Sequence, residues 1–155
     1  MINKINYIFI LKENLIIINT GMRKDNNIVL REQKKNIKKG KIFFEHLRFM
    51  KNSVFDFKSA LLKRDIKVCG EILHENWRKK KELAKRIANK KINEIYEDAL
   101  TSGALGGKIL GAGGRGYLML ICPKTKQKNI LKKFKKFEFL NFEFDKFGSR
   151  RLIRI

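Results

Sequence analysis

A glycine-rich segment near the C-terminal third of the chain carries the clearest chemical signal. Four of the six residues from Gly111 to Gly116 are glycine. Because glycine lacks a Cβ atom, it enters positive φ at little cost, and successive N–H groups can then converge on an anion. The segment therefore predicts a loop that binds an anionic ligand, and phosphate is the first candidate.

The residues on either side place this loop between two strands. Residues 105–110 form a short strand-like run, and residues 117–122 form a continuous apolar run that Pro123 ends. The alternative is a plain glycine-rich hairpin, which needs only one or two residues at positive φ. Neither a P-loop nor a Rossmann signature is present, so any phosphate contact is of another kind.

Other side chains that could do chemistry have a structural interpretation. His74 and Trp77 lie close together on a predicted helix, where a lone histidine is more often a structural group than a substrate contact. Cys69 and Cys122 lie in apolar surroundings without CxxC or paired-histidine spacing. We therefore expect two buried free thiols and no metal site.

The formal net charge of +22 raises nucleic acid as a possible partner, since phosphate neutralisation dominates non-specific binding. The lysines are dispersed along the whole chain, however, and no nucleic-acid recognition motif accompanies them. We expect a solvated lysine surface with weak, non-specific polyanion binding. No apolar run is long enough to span a bilayer and no small-residue cleavage site follows, so a cytoplasmic protein without membrane contact is expected.

Hydrophobic periodicity predicts helices packed on a small antiparallel sheet, an α+β fold. A long amphipathic helix is expected to end near residues 63–64, and Asp65 to cap the next helix. The predicted strands are residues 7–11, 15–19, 105–110, 117–122, 142–144 and 152–155, with the first two and the last two forming pairs. Further helices are expected before the glycine loop, around Ile92, and after Pro123.

Several segments together resemble a known family. Residues 103–117, GALGGKILGAGGRGY, are similar to the third, C-terminal motif of the GHMP kinases. Residues 70–77, GEILHENW, and residues 92–96, INEIY, resemble helices of the branch related to D-glycero-alpha-D-manno-heptose 7-phosphate kinase. Thr20 and Gly21, followed by Glu32, Gln33 and Lys34, resemble the junction between the two domains of that branch.

The resemblance implies a ferredoxin-like C-terminal domain over residues 41–155, preceded over residues 1–40 by a remnant of the N-terminal kinase domain and a connector. The family's ATP-binding loop has no counterpart here. The implied reaction is phosphoryl transfer from ATP and Mg²⁺ to a hydroxyl of a sugar phosphate. We expect this chain to be inactive alone and to bind ATP weakly, with a separately encoded N-terminal kinase half as a possible partner.

The resemblance also implies site residues. The loop that would contact cofactor phosphates consists of Gly111, Ala112, Gly113, Gly114, Arg115 and Gly116, and the substrate contacts would be Lys108, Thr20 and Gly21. The catalytic residues stay unknown. Many relatives have glycine at the position of Arg115, where an arginine either adds a phosphate contact or crowds the site. Lys108 has an alternative interpretation as a solvated strand lysine. The chain as a whole also has an alternative interpretation, as a non-catalytic basic module that binds nucleic acid or another polyanion.

Overall fold

The computed structural model describes residues 4–21, 26–38, 40–145 and 148. Within these residues the chain forms six α-helices, one short 3₁₀ turn and three β-strands. In chain order they are α1 (Lys4–Glu13), β1 (Leu15–Asn19), α2 (Asn26–Ile37), α3 (Lys41–Leu62), α4 (Ile66–Glu82), the 3₁₀ turn (Lys85–Ile87), α5 (Lys90–Thr101), β2 (Gly106–Ile109), β3 (Tyr117–Ile121) and α6 (Gln127–Lys133).

The three strands form one antiparallel sheet in the order β1-β3-β2. Ile16 lies opposite Leu120 in one strand pair, and Gly107 lies opposite the same residue in the other. The predicted strands around the glycine loop are therefore confirmed, with the loop joining β2 to β3. The predicted α+β fold of helices packed on a small antiparallel sheet is also confirmed.

Local sequence explains where the helices begin. The carboxylate of Asp65 accepts a hydrogen bond of 3.0 Å from the N–H of Val68, as the N-cap prediction requires. The side chain of Asn89 caps α5 in the same way, through a 2.9 Å bond from the N–H of Ile92. Each cap satisfies one of the amide groups that the first helical turn leaves unpaired.

The main core lies on one face of the sheet. Trp77 from α4 and Tyr96 from α5 are fully buried there, in the same cluster as Leu118 and Leu120 of β3. A smaller cluster contains Cys69 and lies against the opposite face of β3. Alternate residues of the central strand therefore enter two different clusters, which fixes the strand register.

Helix α4 and strand β2 approach each other unusually closely. A Cβ atom built on Gly106 would lie 2.0 Å from the carbonyl oxygen of Gly70. Only glycine leaves enough room for this packing, so both residues are needed for the helix to lie directly against the strand. This contact holds α4 beside the strand that leads into the glycine loop.

Two strand predictions are wrong in the described part of the chain. Residues 7–11 belong to α1, and β1 pairs with β3 instead. The apolar run of α1 places Leu11 against the smaller core cluster while Phe9 stays exposed, so tertiary packing overrides its strand propensity. Residues 142–144 form no regular strand.

Near those residues the chain pairs with β1 through an isolated bridge between Ile18 and Phe139. Residues 152–155, the predicted partner of 142–144, lie outside the described residues. The predicted domain boundary after residue 40 stays a prediction.

In the described ranges, every helix is too short or too polar to cross a bilayer.

Candidate functional site

The glycine loop has a backbone that only glycine adopts readily. Gly111, Gly113, Gly114 and Gly116 have φ values of 79°, 107°, 84° and 111°. A Cβ atom on Gly113 would also lie 2.8 Å from the carbonyl oxygen of Ile87. The loop therefore needs glycine for its conformation and, at Gly113, for a close approach to the 3₁₀ turn.

Side chains from helices α2 and α4 hold the first half of the loop by its carbonyl groups. The ammonium group of Lys80 on α4 donates a hydrogen bond to the carbonyl of Gly111. The amide group of Gln33 on α2 donates to the carbonyl of Ala112 at 3.3 Å. Two helices that are distant in sequence thus fix consecutive peptide groups of the loop.

The second half of the loop is held in the same way. The side-chain amide of Asn89 donates to the carbonyl of Gly114 at 3.3 Å, and the hydroxyl of Thr20 donates to the carbonyl of Gly116 at 2.6 Å. The N–H of Thr20 also donates to the carbonyl of Gly116, at 2.8 Å. Four side chains therefore orient this loop, and each of them donates a hydrogen bond to one of its carbonyl oxygens.

This arrangement turns particular N–H groups away from the tethering side chains. In a trans peptide the carbonyl and the next N–H point to opposite sides, and no cis peptide occurs among the described residues. The N–H groups of Ala112 and Gly113 consequently point away from Lys80 and Gln33. Neither donates to an acceptor in the described part of the chain. Because buried backbone N–H groups are rarely left unpaired, this pair is suited to an external acceptor such as phosphate oxygen.

One loop amide is not available for a ligand. The N–H of Gly114 donates to the carbonyl of Ile87 at 2.7 Å, which ties the loop to the 3₁₀ turn. Arg115, the residue after Gly114, has an exposed side chain. The prediction that successive amides converge on an anion is thus restricted to fewer groups, among them the adjacent N–H groups of Ala112 and Gly113, which have no acceptor in the described part of the chain.

Thr20 lies beside the loop, but it is buried and its hydroxyl proton is already donated to Gly116. Gly21 has a φ of 111°, and its N–H donates to the Asn19 side chain at 3.0 Å. Thr20 therefore acts on the loop conformation. Direct substrate contact by either residue stays a prediction.

Lys108 lies on β2 with its side chain in the wall of a cavity between α3, α4 and the sheet. It is half-buried, and burial lowers its pKa below the ordinary value. No hydrogen bond or ion pair joins it to the glycine loop within the described ranges. Its predicted role as a substrate contact is therefore unsupported by any contact to the loop and stays a prediction.

His74 and Trp77 have structural surroundings, in agreement with the sequence interpretation. His74 Nδ1 and the hydroxyl of Tyr96 share a hydrogen bond of 2.9 Å, and their rings stack. Trp77 is fully buried. Burial, the largest influence on Tyr96, raises the pKa of its hydroxyl far above the ordinary value. Cys69 and Cys122 are buried free thiols, as predicted.

Sequence reasoning missed three of the four side chains that orient the loop. Lys80 belongs to a run of three lysines and gives no sign that it alone is buried. Gln33 is recognised only as part of a segment that resembles a domain junction. Asn89 reads as a helix break, although an asparagine before a helix is also a capping signal.

Comparisons with known proteins agree with the fold. Residues 57–138 match the family model described as GHMP kinases C terminal. The chain is 31% identical over 119 residues to D-glycero-alpha-D-manno-heptose 7-phosphate kinase of Campylobacter jejuni, which covers 73% of this chain. The chain spans about a third, 35%, of the length of that curated relative.

Solved structures of similar fold include two kinases. L. major mevalonate kinase in complex with R-mevalonate superposes with a TM-score of 0.71 at 21% identity, over 79% of this chain and 37% of that chain. A D-glycero-D-manno-heptose 1-phosphate kinase from Bacteroides thetaiotaomicron superposes with a TM-score of 0.54 at 21% identity, over 88% of this chain and 36% of that chain. At these identities the likeness concerns the fold.

Proposed function

Because this chain belongs to the GHMP kinase family, we propose that it forms the phosphate-facing wall of a kinase for a sugar phosphate of the heptose phosphate type. The reaction is transfer of a phosphoryl group from ATP to a sugar hydroxyl. The ATP-binding domain that makes up much of the remaining length of the relatives would be supplied in the same polypeptide or by a separate one.

The observation that carries this proposal is the orientation of the loop peptides. Side chains hold the carbonyls of Gly111 and Ala112, so the N–H groups of Ala112 and Gly113 are turned away and unpaired among the described residues. Preorganised N–H donors stabilise developing negative charge without reorganising during the reaction. The loop can therefore hold a phosphate oxygen in place while the transfer proceeds.

Each residue of the wall has a limited role in this proposal. Ala112 and Gly113 donate to phosphate, Arg115 adds a positive charge at the exposed edge of the loop, and Thr20 keeps the loop in shape through Gly116. ATP supplies the phosphoryl group when it is bound. Mg²⁺ at phosphoryl-transfer sites is commonly bound by one or two carboxylates together with the phosphates of the nucleotide, so it would enter with ATP.

Amide NMR of the ¹⁵N-labelled chain tests the loop directly, with tripolyphosphate as the probe. We expect the resonances of Ala112 and Gly113 to shift most and to saturate, because their N–H groups acquire an acceptor. The matched probe is sulfate at equal ionic strength, which controls for general anion binding by the lysines. Equal shifts at lysine clusters throughout the chain, without a focus on the loop, would contradict the proposal.

A complementation assay tests the reaction. The chain alone should bind Mg-ATP more weakly than micromolar and should not turn over heptose 7-phosphate, because the ATP-binding motif is missing from its sequence. Addition of the N-terminal domain of the Campylobacter jejuni relative should give sugar-dependent ATP consumption. Micromolar Mg-ATP affinity by the chain alone would contradict the proposed division of labour.

The formal net charge of +22 favours a second candidate, a non-catalytic module that binds nucleic acid or another polyanion. Binding of this kind releases counterions, so affinity should fall steeply with salt and show little sequence preference. A shift assay with unrelated oligonucleotides at several salt concentrations measures both properties. Strong preference for one oligonucleotide near physiological ionic strength would favour a dedicated nucleic-acid module over the kinase proposal.

A further inference from the structure

A cavity of ≈ 410 Å³ lies between α3, α4 and the sheet. Met50 and Phe57 of α3, Leu73 of α4 and Met119 of β3 contribute apolar walls. Val54 and Phe144 are the most exposed of its lining residues, at 62% and 40%, and mark its mouth. The volume is in the range of sites that bind small organic molecules.

Lys108 is the one charged residue among those that line the cavity. It lies opposite Met119 in the β2–β3 pairing, so the two side chains emerge on the same face of the sheet. Its ammonium group makes no hydrogen bond or ion pair within residues 4–21, 26–38 and 40–145. Burial lowers the pKa of Lys108, because its charge is partly removed from water without a compensating partner.

A second polar feature lies in the same wall. Asn76 is 8% exposed, and its Nδ2 donates a hydrogen bond of 2.8 Å to the hydroxyl of Ser53. The Ser53 hydroxyl donates in turn to the carbonyl of Met50 at 2.9 Å. The Oδ1 atom of Asn76 is buried and has no partner among the described residues. An apolar cavity with an unpaired cation and an unpaired acceptor in its wall is typical of a binding site rather than of core packing.

The charge of the wall restricts the ligand. A single ammonium group suits a singly charged head better than a phosphate dianion, which proteins commonly bind with several donors. The apolar surface elsewhere in the wall suits a hydrocarbon body. We propose that this cavity binds an amphipathic carboxylate, with its head at Lys108 and its hydrocarbon body between α3 and the sheet.

This site is separate from the tethered loop and does not depend on the proposed kinase function. It gives Lys108 a carboxylate partner in place of the sugar phosphate that the sequence resemblance implies. A hydrogen-bond donor next to the carboxylate, such as a hydroxyl group, would supply a partner for Asn76. The loop amides and the cavity methionines can be followed in one sample, so either proposal can fail while the other holds.

Methionine methyl NMR tests the site in the unmodified chain. The chain has four methionines, of which Met50 and Met119 line the cavity. Decanoate, added below its critical micelle concentration, should shift both methyl resonances in a saturable manner, and 3-hydroxydecanoate should bind more tightly. Decanol, which has the same hydrocarbon body and no charge, should bind at least about tenfold more weakly if the head pairs with Lys108.

The variant Lys108→Met removes the charge and keeps an unbranched side chain of similar length. It should weaken decanoate binding about tenfold or more and leave decanol binding nearly unchanged. The matched control is Lys67→Met on α4, which removes an exposed lysine and should bind decanoate as the unmodified chain does. Circular dichroism checks that both variants fold.

Three results would overturn the proposal. Absence of a saturable shift at Met50 and Met119 would show that the cavity does not take the ligand. Equal affinity for decanoate and decanol would exclude a charged head at Lys108. Displacement of decanoate by heptose 7-phosphate in the unmodified chain, with loss of sugar phosphate binding in Lys108→Met, would return Lys108 to the role that the resemblance implies.

Discussion

The ammonium group of Lys80 donates to the carbonyl oxygen of Gly111, and this bond joins a buried residue of α4 to the first glycine of the loop. Lys80 is only 8% exposed, whereas Lys79 and Lys81 on either side of it are partly exposed. A buried ammonium is unfavourable unless it is hydrogen-bonded. The loop therefore satisfies the helix lysine, and the lysine orients the loop.

The substitution Lys80→Met should loosen the loop more than it changes overall stability. The apolar side chain fills similar space, and the released carbonyl of exposed Gly111 can bind water. Hydrogen exchange should become faster across residues 110–116. The neighbouring variant Lys79→Met removes a partner of Glu75 instead and should leave exchange in the loop unchanged. Unchanged loop exchange in Lys80→Met would contradict the tethering role.

Alanine at Gly113 should destabilise the folded chain. Its φ of 107° is unfavourable for a residue with a side chain, and the new Cβ would lie 2.8 Å from the carbonyl oxygen of Ile87. We expect a loss of about 2 kcal/mol or more in urea unfolding. Gly21→Ala has a similar φ with nothing within 4 Å of the new atom, so it should cost less. Equal losses would show that the contact with Ile87 is unimportant.

The Thr20 hydroxyl should contribute measurably to stability. Thr20→Val keeps the shape of the side chain and removes the 2.6 Å hydrogen bond to Gly116. The expected loss is about 1 kcal/mol in the free energy of unfolding, because the carbonyl keeps its bond from the Thr20 N–H. Thr101→Val removes a hydroxyl from an exposed helix end and should change the free energy of unfolding less. Thr20→Ser should retain most of the stability.

The two buried thiols predict how stability changes at alkaline pH. Burial, the largest cause in each case, raises the pKa of Cys69 and of Cys122 from 9.0 to about 11. Between these values the unfolded chain loses thiol protons that the folded chain keeps, so folding should become less favourable as pH rises. Urea unfolding from pH 8 to about 11 measures this. The double variant Cys69→Ala, Cys122→Ala should show a smaller decrease over that range, and an identical decrease would contradict the assignment.

Local sequence predicted those parts of the fold that depend on short-range signals. The cap at Asp65 shows why: a side chain and an amide three residues apart determine where a helix begins. The strands around the glycine loop were predictable because an apolar run, a glycine cluster and Pro123 follow one another.

Predictions failed where distant contacts decide the outcome. Residues 7–11 have the composition of a strand, but β3 already pairs with β1 and β2, and this segment packs as a helix with Leu11 against the smaller cluster. The loop itself was identifiable from its glycines. The side chains that orient it were not, because Gln33 and Lys80 reach it from helices far away in sequence.

The sheet order has a consequence for how the chain acquires its structure. Strand β1 pairs with β3, and Ile16 and Leu120 lie opposite each other although they are roughly a hundred residues apart in sequence. During synthesis, β1 leaves the ribosome long before the strand that covers its hydrogen-bonding edge. Its apolar residues stay without that partner while α2 to α5 are made, so we expect early collapse of those helices to protect the chain against aggregation until the sheet closes.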